Sequence, residues 1–161
     1  MRSFNVKSYI CCMEIERKFL IHRQLWDAVI KPSPKKIVQA YLVSTAEKTI
    51  RIRIKGDQGF ITIKGPTKGI SRSEFEYEIP LIDAEALISQ FAEKVINKER
   101  YEIYFDEKLW EIDVFHGKLE GLILAEIELE SEDETFSVPE WIGKEVSHDV
   151  EYYKARLVEK C

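Results

Sequence analysis

Apolar and charged residues alternate one for one through most of this chain. In TIRIRIK (49–55), Ile50, Ile52 and Ile54 fall on one side and Arg51, Arg53 and Lys55 on the other; in SRSEFEYEI (71–79), Phe75, Tyr77 and Ile79 oppose Arg72, Glu74, Glu76 and Glu78. EIERK (14–18), FITIK (60–64), INKERYEIYF (96–105), LWEIDVF (109–115) and LAEIELE (124–130) repeat the pattern. Successive side chains of a β-strand point to opposite faces, so a period of two predicts strands with one apolar and one charged face. Eight strands are expected, at roughly 13–21, 37–43, 49–55, 59–64, 72–79, 96–105, 108–115 and 122–130. KGDQG (55–59), KGPTKG (64–69) and FDEK (105–108) supply turn residues between them.

Helical periodicity is confined to short stretches. RQLWDAVI (23–30) carries one, DAEALISQFAEKV (83–95) a second with Asp83 as its expected N-cap, and VEYYKARLVEK (150–160) a third. The fold class is therefore α+β and mainly β, and 161 residues suit one domain. That domain is expected over 13–161, with Met13 as the natural start and residues 1–12 as an extension.

Antiparallel strands of this kind fit two architectures. A sandwich would bury the apolar faces against each other and wet the charged ones, which is the commoner arrangement. A closed barrel would turn the charges inward and cover its apolar outside with helices, using Trp26, Leu87, Phe91, Trp141 and Leu157. Inward charges are costly unless paired, hydrated or bound to ions, so a charged interior would be a site. Alternation satisfies both arrangements.

The net charge is 24 − 29 = −5, which gives no global steering toward nucleic acid or an anionic membrane. No run approaches the roughly 18 apolar residues of a spanning helix, and no secretory signal precedes Met13, so a cytoplasmic location is expected. Cys11, Cys12 and Cys161 match neither a disulfide framework nor a zinc spacing. His22, His116 and His148 fall at element ends without a partner that would make them catalytic, and KGPTKGIS lacks the Gly-Lys-Ser/Thr ending of a P-loop.

Seven charged elements, in order, resemble the CYTH superfamily, also called triphosphate tunnel metalloenzymes. They are the E-x-E-x-K of EIERK, the R-x-R of IRIRI, the lysine of TIKG, the R-x-E-x-E of SRSEFE, the K-x-R of NKERY, the aspartate of EIDVF and the E-x-E of AEIEL. The resemblance spans most of residues 13–157 and implies an eight-stranded antiparallel closed barrel, a tunnel that binds a small-molecule triphosphate with Mg²⁺ or Mn²⁺. It implies Glu14, Glu16, Glu126 and Glu128 as metal ligands, with Glu76 and Asp113 in a second carboxylate group. Carboxylates suit such hard cations, which keep several waters and bind substrate phosphates as well. Lys18, Arg51, Arg53, Lys64 and Arg100 resemble the phosphate-binding set. Arg72, Glu74, Lys98 and Tyr41 are expected to support them, and Lys18, Lys64 and Tyr41 to serve the chemical step. Near the C-terminus the match loosens to DVEYYKARL, where Lys154 is the expected substrate contact.

Metal-dependent hydrolysis of a triphosphate, inorganic or organic, is the leading expectation from that resemblance. It needs no nucleophilic side chain, because position and charge neutralisation carry phosphoryl transfer. An adenylate cyclase of the same fold is the alternative, although no adenine-recognition motif stands out. A non-catalytic polyphosphate binder is a further one, and for it six converging acids would oppose the anion. Neither nucleic acid nor membrane is an expected partner, and a homodimer is compatible with the sequence.

Overall fold

The structure, a computed structural model, describes residues 13–92 and 94–161, excluding the side chains of residues 154, 155 and 158. The expected extension, 1–12, lies outside the described residues. Within them run β1 (Glu14–Ile21), α1 (Arg23–Asp27), β2 (Lys35–Ser44), β3 (Thr49–Lys55), β4 (Gln58–Lys64), β5 (Ser71–Arg72), β6 (Glu74–Ile79), α2 (Leu81–Phe91), β7 (Val95–Phe105), β8 (Lys108–Phe115), β9 (Ile123–Glu128), β10 (Ile142–Glu145) and α3 (Lys154–Glu159).

All ladders are antiparallel, and the sheet runs β10-β1-β9-β8-β7-β2-β3-β4-β6, with β5 pairing off this path to β1. Hairpins join neighbours where turn chemistry requires them. Asp106 and Glu107 both take positive φ, 48° and 63°, as a two-residue hairpin turn between β7 and β8 demands.

The expected eight-stranded closed barrel is corrected by this topology, because among the described residues there are ten strands and their sheet does not close. The segment expected at 72–79 breaks at Ser73 into β5 and β6. The outer edge of β1 is then divided: Glu14 and Ile15 pair with β5, while Phe19 and Ile21 pair with β10. With that edge shared between two short strands, β6 forms no ladder with β1. Strand β10 was not expected because it is four residues long, carries Gly143 and lacks alternation. Gly143 has a physical role there, since a Cβ at this position would come within 3.1 Å of the Leu20 carbonyl oxygen.

The main core lies outside the sheet rather than within it. Phe19, Trp110, Ile112, Ala125 and Ile127 on the apolar faces of β1, β8 and β9 pack against Trp26 of α1, Trp141 and Ile142. Trp110 anchors this cluster with edge contacts to Phe19, Phe136 and Trp141, at centroid separations of 5.5, 5.7 and 6.1 Å. A second cluster joins Ile96, Phe115 and Leu124 to Val146 and Leu157, so part of the opposite face is also apolar and packs on α3.

Two helix expectations also change. Helix α2 begins at Leu81 with Pro80 at its cap, leaving Asp83 in the first turn, where its charge still favours the helix dipole. Phe91 is 61% exposed, and of the expected coat Trp26 and Trp141 are buried on the outer face, whereas Leu157 is buried against the charged face, beside Ile96, Phe115 and Leu124.

Candidate active site

Register aligns the charged faces into one surface. Glu16 sits opposite Glu128 and Lys18 opposite Glu126 across β1 and β9; Glu126 is opposite Glu111 on β8, and Asp113 is opposite Arg100 on β7. On the other side of β2, Arg51 faces Thr62 and Tyr41, Thr62 faces Glu76, Lys64 faces Glu74, and Arg72 faces Glu14. Alternation on each strand therefore delivers its charges to the same face, as the inward-charge arrangement requires.

Charged residues are almost never this deeply buried unless paired, and here the pairing is extensive. Lys18, Arg51, Lys64, Lys98, Arg100, Asp113 and Glu126 are all buried. Lys64 Nζ donates to both Glu14 carboxylate oxygens, at 2.7 and 2.8 Å, and lies 2.7 Å from Glu74. Arg72 Nε donates to Glu14 Oε2 at 2.8 Å. Arg53 Nη2 donates to both oxygens of Glu76 at 2.7 and 2.8 Å, and the Thr62 hydroxyl donates to Glu76 Oε2 at 2.7 Å. Arg100 holds Asp113 through Nε and Nη2 at 2.6 and 2.7 Å, and it also reaches Glu111 and, at 3.2 Å, Glu126. Lys98 pairs with Asp113, and Lys18 with Glu16.

These neighbours set the protonation of the acids. Burial alone would raise the Glu76 carboxyl, but Arg53, the Thr62 hydroxyl and Arg51 outweigh it and hold it below the ordinary range. Asp113 is likewise held low, with Arg100 and Lys98 overcoming its burial. Glu128 behaves in the opposite way: burial and then the negative charges of Glu14, Glu16, Glu74 and Glu111 raise it. Among the cations, Arg53 is lowered by burial and by the like charges of Arg51 and Arg100, against the pull of Glu76.

A cavity of about 500 Å³ opens on this surface. Glu14, Glu16, Lys18, Tyr41, Arg51, Lys64 and Arg72 line it, together with Ser147, Tyr153 and Arg156. It thus gathers four of the expected cations with two of the expected metal ligands. Arg53, Lys98, Arg100, Glu76, Asp113 and Glu126 belong to the same charged network but do not line this cavity. The backbone of Lys154 opens α3, while its side chain lies outside the described residues.

Divalent cations fit the chemistry of this donor set, which offers carboxylate oxygens and no sulfur or imidazole. The crowding of negative charge that raises Glu128 is what a bound cation would relieve. Among the described residues, no group of three or more acids or other ligating side chains is already arranged around a metal position. Glu14, Glu16, Glu76, Asp113 and Glu126 are turned toward lysines and arginines instead.

Two features escaped the sequence reading. Glu111 shares a face with Asp113, and a second acid on that strand was legible, but its contact with Arg100 depends on the register of β7 with β8. Gln39 is fully buried on the charged face, directly opposite Arg53. The only available signal for it was its phase with Tyr41.

Known proteins resemble this chain along almost its whole described length. The CYTH domain family model matches residues 13–161. An inorganic triphosphatase of Acetivibrio thermocellus is 41% identical over 146 residues, covering 90% of this chain and 92% of that protein. One from Nitrosomonas europaea is 36% identical over 148 residues, covering 89% and 95%. The crystal structure of an inorganic triphosphatase superposes with a TM-score of 0.62 at 32% identity, over 90% of this chain and 93% of the other. A Pyrococcus horikoshii protein at 18% identity, with a TM-score of 0.57 over 74% and 80% of the two chains, shares the fold.

Proposed function

The chain belongs to the CYTH domain family, and from this premise we propose that it is a metal-dependent triphosphatase that releases orthophosphate from inorganic triphosphate. The observation that carries the reading is the cavity in which Lys18, Arg51, Lys64 and Arg72 stand beside Glu14 and Glu16. The two relatives named as inorganic triphosphatases support the same substrate. The domain spans 13–161 in this reading, with a small-molecule triphosphate as partner in the cytoplasm.

Lys64 and Arg72, now held by Glu14, exchange that carboxylate for phosphate oxygens as the polyanion enters. Arg51 and Arg53 take adjoining oxygens, Arg53 with relief of the like-charge crowding described above. Arginine matches these oxygens in pairs, whereas Lys18 and Lys64 act as movable point charges. Arg100 and Lys98 hold Asp113, and through it the wall behind the phosphates. Glu14, Glu16 and Glu128, with Glu126 behind them and Glu76 and Asp113 as the second group, would hold Mg²⁺ or Mn²⁺, which when bound neutralises phosphate charge and activates water. Lys18 and Tyr41 orient the attacking water toward the terminal phosphorus. The new P–O bond to water forms as the bridging P–O bond breaks, giving orthophosphate, pyrophosphate and one proton to solvent.

Purified protein given tripolyphosphate with Mg²⁺ or Mn²⁺ is expected to release orthophosphate, and excess chelator to stop it. Glu16→Gln is expected to abolish turnover while leaving the far-UV circular dichroism unchanged. Cyclic nucleotide and pyrophosphate formed from ATP would select the cyclase instead, and binding without turnover would reduce the protein to a polyphosphate binder.

A further inference from the structure

Gln39 is a buried polar side chain of the charged face that belongs to neither the phosphate-binding nor the metal-binding set. It is 0% exposed, and among the described residues neither its amide nitrogen nor its amide oxygen has a hydrogen-bond partner. It lies opposite Arg53 on β3 and Ile96 on β7, one step along the same face from Tyr41, which lies opposite Arg51. Arg51 and Arg53 each also have a buried Nε with no partner among the described residues, although both send an Nη2 to Glu76. Three adjacent residues therefore present unused polar atoms to one region of the wall.

A buried amide without partners is unfavourable, and an aliphatic side chain beside Ile37 and Ile96 would avoid that cost. The arrangement is economical only if something polar meets it. We propose that Gln39 binds a phosphoryl group: its amide, with the Nε–H groups of Arg51 and Arg53, forms an inner subsite that takes phosphoryl oxygens. This rests on the triphosphatase reading for the identity of the substrate, but not for the subsite itself, which free orthophosphate would also fill. A neutral amide adds donors without adding to the repulsion between Arg51 and Arg53. Its oxygen remains free to accept from a water or from a protonated phosphate oxygen.

Gln39→Met keeps the length of the side chain and removes both polar atoms. It is expected to raise the KM for tripolyphosphate and the Kd for inorganic phosphate by about tenfold or more, the loss of a hydrogen bond to a charged group. Its Tm is expected to equal or exceed that of the parent, because an unsatisfied amide has been removed. The side-chain amide resonance that disappears in Gln39→Met is expected to shift when the parent protein is titrated with inorganic phosphate. Unchanged KM and Kd in the variant, or an amide resonance that phosphate does not move, would overturn the proposal. A variant that unfolds or melts lower would overturn it too, by making Gln39 a support of the wall. If the parent binds phosphate through this amide but hydrolyses no tripolyphosphate, the subsite stands and the triphosphatase reading fails.

Discussion

Asp113 shows how individual residues hold this wall together. It is wholly buried and accepts from Arg100 and Lys98 at once, so neutralising it removes the buried counter-charge that these two cations share. Removing one member of a buried pair typically costs about 3–5 kcal/mol, far more than an exposed pair is worth. Asp113→Asn is expected to lose stability of that order at neutral pH in a urea titration. The pH dependence has a definite sign. The native carboxyl titrates below its unfolded counterpart, so its contribution is complete above the ordinary aspartate range and is lost as pH falls through the native value. The acid limb of stability against pH is therefore expected to be shallower in Asp113→Asn than in the parent. The sequence placed Asp113 among metal ligands and Lys98 among supporting residues. Which cation an acid meets depends on cross-strand register, which alternation along one strand does not encode.

Elements were legible where periodicity is long and hidden where it is short. The alternating runs appear as β1 to β4 and β6 to β9, because eleven residues such as those of β7 cannot be in phase by accident over their whole length. The break at Ser73 and the four-residue β10 left no such trace, although both lie on the edge of β1 where the sheet does not close. Likewise, the charged face was legible as a set, but the buried Gln39 on it was not, since one amide among alternating aliphatics looks like an ordinary polar position. Helix α2 offers a test at this scale. It rests on β4 where Gly59 lacks a side chain, and a Cβ there would stand 2.7 Å from the Ala84 Cβ and 3.1 Å from the Ile79 carbonyl oxygen. Because both neighbours are rigid, Gly59→Ala is expected to displace the helix and cost about 1–3 kcal/mol by thermal or chemical unfolding. Ala84→Gly in the same chain is expected to recover part of that loss.

The whole molecule carries its main apolar core on the outer face of the sheet, and its buried charges, with a smaller apolar cluster, on the other. Ion pairs among Glu14, Lys64, Arg72 and Glu74 span the line where β5 meets β1 for only two residue pairs, so side chains hold the wall where backbone ladders are sparse. The same division separates the chain's tryptophans from its chemistry. Its three tryptophans, Trp26, Trp110 and Trp141, all belong to the outer cluster, and none lines the cavity. Intrinsic emission is therefore a gauge of the outer packing: it should change cooperatively when that core melts and stay nearly constant when phosphates are titrated into the native protein, as a fluorimeter can check. A ligand-induced spectral change comparable to that of unfolding would mean that the two faces of the sheet are mechanically coupled.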